Sequence, residues 1–219
     1  MKKIVVFGAG DIARLAKYYF DSDSDYKVEA FCVDRAFRTG DHFQDLPLVD
    51  FETVSEKYPA KDFDMFVALS YSKMNHVRSE KYFAALNKGY DLVSYVSSRC
   101  SYLSQFKPGK NCFILEDNTI QPFVKIGNNV TLWSGNHIGH DSVIEDHNFI
   151  SSHVVISGFC KIGSYCFLGV NATLRNSIAI ANDCLIGAGA VIMKDTKPGE
   201  VYIPERAKLF SKPSSEIEM

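Results

Sequence analysis

An aliphatic residue stands at every sixth position from 114 to 192, without a gap. The fourteen positions hold eleven isoleucines and three leucines, from Ile114 and Ile120 through Leu132, Ile150 and Leu168 to Ile192. The stretch contains twelve isoleucines in all, and eleven fall on this single phase. A period of six matches neither the turn of an α-helix nor the alternation of an isolated strand. It is the signature of a parallel β-helix, in which each hexad forms one flat side and three hexads close one coil.

The residue two before each aliphatic is almost always small or β-branched, as at Cys112, Val130, Ser142, Cys160, Cys166, Ala172 and Cys184. Such residues fit an interior position near a corner, under the aliphatic side chain that fills the prism. Five of the fourteen aliphatics are followed by glycine, at 127, 139, 163, 169 and 187. Coils stacked at the strand spacing of about 4.8 Å are expected from about residue 108 to 195. A β-sandwich is the alternative, but its turn signals hold no fixed phase. The register also gives four of the six cysteines a place: 112, 160, 166 and 184 read as small buried hydrophobes rather than disulfides or nucleophiles.

The first half has a different rhythm. Lys3–Phe7 is a β-branched run ending in Gly8-Ala9-Gly10, and Asp11–Phe20 follows with apolar residues at helical spacing. Lys27–Asp34 and Asp64–Leu69 read as further strands. Phe51–Tyr58 reads as a short helix, and Lys73–Asn87 as a long one. Strands separated by helices imply βαβ units and a parallel sheet. The expected division is a small Rossmann-like parallel α/β domain over residues 1–100, then the β-helix and a C-terminal tail over 101–219.

Composition narrows the function classes. The 219 residues carry 24 Lys+Arg against 26 Asp+Glu, a balance that argues against nucleic acid as a main partner. No apolar run is long enough to span a membrane, and MKKIVVFGAG lacks the form of a signal peptide. With no export signal, the six cysteines are expected as free thiols in a cytoplasmic protein.

The unbroken hexads, with IGHDSVIEDHNFISSHVVISG and IGAGAVIMKD after an opening VVFGAGDIA, resemble the left-handed β-helix acyltransferases. The resemblance covers essentially the whole chain. It is to the subgroup that acylates nucleotide-linked sugars, including amino-sugar N-acetyltransferases and sialic-acid O-acetyltransferase-like proteins. It implies left-handed coils, a homotrimer, acetyl-CoA bound between neighbouring helices, and a nucleotide-sugar held by the first domain.

Four of the six histidines, 137, 140, 147 and 153, lie close together in sequence. Their hexad positions send them to different sides, so they do not converge on a metal. His137, His147 and His153 are expected at the surface. His140 stands in Gly139-His140-Asp141, which matches the His-acidic pair where the resembled family has its catalytic base. An imidazole is suited to take the proton from an attacking sugar amine or hydroxyl at neutral pH. Asp141 can hold its tautomer only if the pair sits at a corner, because neighbours in a strand point to opposite sides. Gly158 lies 18 residues on, one coil above His140. Its N–H is placed to stabilise a thioester oxyanion, as the same position does in the family. The alternative for Gly158 is a corner glycine with positive φ. Asn176 and Lys194 continue the column, and Lys194 is a candidate partner for a CoA phosphate. Val170, Ala188 and Gly189 lie where the resemblance puts the pantetheine groove.

In the first half, the turn containing Gly8 and Gly10 follows a strand and opens a helix, a place for a pyrophosphate. Asp34 ends the second strand, where an acidic residue meets ribose or base. Ser70 and Arg78 are the remaining substrate-binding candidates. Departures from the family pattern are Gly10-Asp11-Ile12-Ala13 in the first turn, Phe149 where some relatives have a second histidine, and Pro204-Glu205-Arg206-Ala207-Lys208 near the end.

The expectation is an acetyl-CoA-dependent transferase acetylating an amino group on a nucleotide-linked sugar, with no metal required. O-acetylation of a sugar hydroxyl, a non-catalytic β-helix nucleotide-binding module and an NAD-linked enzyme are the alternatives.

Overall fold

A computed structural model describes residues 2–217. The first half is a five-stranded sheet. β1 (Lys2–Phe7) pairs in parallel with β2 (Tyr26–Val33) and a later strand, and the two-residue edge strand β3 (His42–Phe43) is antiparallel to β4 (Leu46–Asp50). α1 (Asp11–Ser22), the one-turn α2 (Val54–Lys57), β5 (Asp64–Val67) and α3 (His76–Asn87) complete it, in the strand order β3-β4-β2-β1-β5. The run expected as one helix over Phe51–Tyr58 begins as a 3-10 turn at Phe51–Thr53. The long helix starts three residues later than expected, because Lys73, Met74 and Asn75 all take left-handed φ values of 49°, 50° and 67°.

The second half is a left-handed parallel β-helix with three flat sheets of seven, six and four short strands. Strands pair in parallel at an interval of 18, as His137 with Val155 and Ile138 with Ile156. All fourteen hexad aliphatics lie inside, none more than 6% exposed, and so do the fourteen residues two before them. The four interior cysteines and the other two are free thiols. Burial pushes the Cys112 and Cys166 thiols up to about 12, so they stay protonated and inert. The helix is longer than the hexads alone indicated. Tyr95–Val96 already pairs with Phe113–Ile114, and Val201–Tyr202 closes the far end on Leu185–Ile186.

Corners recur every six residues. The third residue before each aliphatic has positive φ at all fourteen positions, Asn111 through Gly189. Asn, Asp, Gly and His hold ten of these, the residue types that best tolerate this conformation. Gly158 is not one of them: the left-handed residue at its corner is Phe159, with φ 58°. The glycine that follows an aliphatic serves close stacking. At Gly139, a Cβ would lie 2.4 Å from the backbone N of Gly158 on the next coil.

The halves share a core. Val93, Tyr95, Phe113 and Leu115 from the β-helix side pack with Ile4, Phe20, Phe31 and Phe66 of the α/β domain. One corner column faces that domain: Asn111, Asn129, His147, Tyr165 and Asp183. Asn111 closes the open edge of β5, accepting from Val67 N at 2.7 Å and donating to Val67 O at 3.2 Å. His76 stacks on Tyr165 at 4.3 Å and bonds Asp183 at 2.9 Å. No helix among the described residues is long and apolar enough to cross a membrane.

Candidate active site

His140 and Asp141 occupy a corner, as their pairing requires. Asp141 has φ 58°, which turns the chain so that both side chains project outward. His140 Nδ1 lies 2.9 Å from Asp141 Oδ2. A carboxylate only accepts, so Nδ1 carries the proton and Nε2 is left with a free lone pair. Gln121 Oε1 accepts from the His140 backbone N at 2.9 Å, and the Phe159 ring meets the imidazole edge-on at 4.9 Å. Asp141 and Phe159 thus orient the ring, and Gln121 holds the backbone that carries it.

Gly158 lies on the next coil, covered by the His140 ring. An ideal Cβ there would stand 2.9 Å from His140 Nε2 and 3.2 Å from Asn176 Oδ1. The missing side chain therefore leaves a notch between two polar groups. The Gly158 N–H makes no hydrogen bond among the described residues. Lys194 continues the column, exposed beside a shallow groove of about 490 Å³ that Asn176, Ser177 and Met193 also line. Val170, Ala188 and Gly189 belong to a different corner column, across the six-stranded sheet. Within one chain they do not meet His140.

The other histidines disperse. His137 lies on a flat sheet and His153 stands over Gly135, its Nδ1 2.5 Å from where a Cβ would sit. His147, expected at the surface, is only 4% exposed in the seam between the halves. Burial pushes its imidazole down to about 4, with Asp146 opposing and the Arg78 charge adding to the shift. Among the described residues, no three His, Cys, Asp or Glu side chains come together as a metal site.

The α/β half presents a second cleft, of about 270 Å³, lined by Phe7, Gly8, Ala9, Val33, Asp34, Phe37, Leu69, Val77 and Lys81. Gly8 has φ 131°, and a Cβ there would meet Ala68 O at 2.7 Å, so this position requires glycine. Its own N–H is spent on Cys32 O at 2.8 Å. Gly10 caps α1 in an extended conformation with open space around it. Asp11 turns outward to pair with Arg14. Asp34 lies in the cleft, paired at 2.9 Å with Lys81. Burial works against the Lys81 ammonium, but the Asp34 carboxylate outweighs it and holds its pKa above the usual lysine value. Ser70 is half-buried just after β5, outside the cleft lining.

Arg78 does not contact this cleft. It is 1% exposed and points into the β-helix, donating to Thr131 Oγ1 at 3.2 Å, Asn129 O at 3.1 Å and Asn148 O at 3.0 Å. Its guanidinium stands 5.6 Å from the Phe149 ring. Burial lowers it to about 9, which leaves it charged at neutral pH. The cation at the cleft is Lys81, one helical turn further along α3. A single sequence gives no sign of which of two basic residues three apart faces which neighbour.

The fold and the repeats define a class: an α/β domain joined to a β-helix of hexapeptide repeats. Residues 123–158, 141–176 and 159–194 match the family model described as bacterial transferase hexapeptide (six repeats). No curated protein matches the sequence. The acetyltransferase domain of PglB from Neisseria gonorrhoeae FA1090 superposes with a TM-score of 0.81 at 22% identity, over 92% of this chain and 96% of that one. Its complex with acetyl coenzyme A gives 0.76 at 19% identity, over 91% and 95%. PerB from Caulobacter crescentus, in complex with CoA and GDP-perosamine, gives 0.76 at 19% identity, over 93% and 92%. At these identities the likeness establishes the shared fold, over nearly the full length of each chain.

Proposed function

We propose that the protein is an acetyl-CoA-dependent acyltransferase that acetylates an amino group of a nucleotide-linked sugar. The observation that carries this reading is the outward-facing His140–Asp141 pair beside the notch at Gly158. His140 Nε2 takes a proton from the sugar amine as its nitrogen attacks the thioester carbon. The C–N bond forms, the Gly158 N–H stabilises the oxyanion, and the C–S bond breaks with its electron pair leaving on CoA sulfur. Asp141 stabilises the imidazolium formed. No step requires a metal.

The similarity to folds solved with acetyl coenzyme A, and with CoA and GDP-perosamine, supports both substrates. We assign the nucleotide to the cleft of Gly8, Asp34 and Lys81, beside the start of α1, where Gly10 supplies no side-chain cap. Val170, Ala188 and Gly189 lie on another corner from Lys194, so a CoA groove using all four forms between chains. We propose a homotrimer on this ground. Both substrates are metabolites of the cytoplasm, where we place the enzyme, and its product suits surface-glycan synthesis.

The test is acetyl transfer from acetyl-CoA to a panel of UDP-, GDP- and dTDP-linked amino sugars, read by mass spectrometry. His140→Ala is expected to lower kcat by about 10²–10⁴-fold with the fold intact. Full activity in that variant would refute the mechanism. A wild-type protein that neither binds acetyl-CoA nor transfers its acetyl group would refute the reading.

A further inference from the structure

We propose that Asn176 is a second acceptor for the attacking group, and that it makes the site selective for an amine over a hydroxyl. The inference rests on the acyl-transfer reading above and concerns the nucleophile's own hydrogens.

His140 and Asn176 approach one place from opposite sides. A Cβ built on Gly158 would lie 2.9 Å from His140 Nε2 and 3.2 Å from Asn176 Oδ1, so the two atoms flank the same face of this glycine, close enough for one group lying over it to reach both. The orientation of each side chain is set by a neighbour. Asp141 holds the proton on His140 Nδ1, which makes Nε2 an acceptor. Ser177 Oγ accepts from Asn176 Nδ2 at 2.7 Å, which turns Oδ1 over the notch. A group that settles over Gly158 between them thus meets two acceptors.

A neutral primary amine meets this demand. It has two N–H groups and one lone pair. One N–H donates to His140 Nε2, the other to Asn176 Oδ1, and the lone pair is left for the thioester carbon. As the C–N bond forms and the C–S bond breaks, the first proton passes to Nε2 and the electron pair leaves on sulfur. The second hydrogen stays on nitrogen and keeps its bond to Oδ1 in the product amide. A hydroxyl has one hydrogen. If it donates to Nε2, an oxygen lone pair faces Oδ1, and the ester product has no hydrogen for it. Leaving a polar group of a site unpaired is the means by which enzymes reject close analogues.

The experiment compares wild type, Asn176→Leu and Asn176→Asp on pairs of nucleotide sugars that differ only in bearing an amine or a hydroxyl at one carbon. GDP-perosamine and its 4-hydroxy counterpart are one pair, and UDP- and dTDP-linked 4-amino sugars with their counterparts are the others. Asn176 is exposed, so both variants should melt like wild type. Asn176→Leu should lower kcat on the amine by about 10-fold or more, keep the KM for acetyl-CoA, and narrow the preference for amine over hydroxyl. Asn176→Asp, which keeps an acceptor oxygen, should retain most of the rate. Unchanged kcat and unchanged preference in Asn176→Leu would overturn the proposal, as would a wild type that acetylates both members of a pair equally. A wild type that acetylates nothing in the panel overturns the acyl-transfer reading itself, a separable result.

Discussion

Asn129 lies one coil below His147 and donates its side-chain Nδ2 to His147 Nδ1 at 2.9 Å. Nδ1 must then carry a lone pair, so the folded protein holds this imidazole neutral. Burial does the same, pushing it down to about 4. An unfolded histidine titrates near 6.5, so between pH 6.5 and 4 the unfolded chain binds the additional proton. Stability contributed by neutral His147 is therefore fully present above about pH 6.5 and is lost as pH falls toward 4. The loss should be about 2 kcal/mol by pH 5 and reach about 3 kcal/mol below pH 4. Chemical denaturation at pH 7.5 and pH 5 should show it, and His147→Gln should flatten that part of the profile. An equally steep profile in the variant would assign the acid sensitivity elsewhere.

Two glycines one coil apart should respond differently to alanine. At Gly158 the new methyl meets the end of the His140 side chain, which is half exposed and can swing aside. Gly158→Ala should fold like wild type and lose about 10²-fold in kcat, because the base is displaced from its working position. At Gly139 the new methyl meets backbone, 2.4 Å from Gly158 N, and the coils themselves must part. Gly139→Ala should cost about 1–3 kcal/mol of stability as well as activity. Melting curves and initial rates on the two variants check both halves. Equal melting temperatures would contradict the stacking role of Gly139.

The column His140, Gly158, Asn176, Lys194 was legible because it needs only counting: an 18-residue coil brings every eighteenth residue into register. The same arithmetic places Ile138 under Ile156, and the interior filled as the period of six required. The seam was not legible. Asn111, Asn129, His147, Tyr165 and Asp183 share a corner with no apolar signature. Which corner meets the α/β domain is decided by packing against β5 and α3. His147 therefore read as a surface residue and Arg78 as a substrate contact. One signal was available: Asn, Asp, Gly or His at most third positions before the aliphatics marks the left-handed corners, and so separates Phe159 from Gly158.

Arg78 should prove structural. Among the described residues it is a buried cation without a carboxylate partner, held by two backbone carbonyls and a threonine hydroxyl. Arg78→Ala removes the charge but leaves Asn129 O without its donor, though Asn148 O keeps the Thr131 N–H, and it opens a cavity between the halves. A loss of about 2–5 kcal/mol is expected. For a chain of this size, that lowers the melting temperature by about 4–20 °C. The KM for nucleotide-sugar, measured well below the new melting point, should stay within about threefold, since no contact to the ligand is lost. A KM rise with unchanged stability would return Arg78 to the binding site.

Asp34 and Lys81 should govern nucleotide binding instead. Their ion pair lies in the cleft beside Gly8, and each partner is largely withdrawn from water. A base or ribose entering there has Asp34 as an acceptor for its N–H or O–H groups, with Lys81 paired to the same carboxylate. Asp34→Asn leaves a donor where an acceptor stood, and should weaken binding by about 10–100-fold, the worth of a hydrogen bond to a charged group. Lys81→Met leaves the carboxylate unpaired in the cleft and should also weaken it. Calorimetric titration with UDP and GDP measures both effects, and titration with acetyl-CoA serves as the control. The acetyl-CoA affinity should not move, because the corners that carry His140 and Val170 are not the one that meets the α/β domain. Nucleotide affinity unchanged in both variants would remove the cleft from the substrate path.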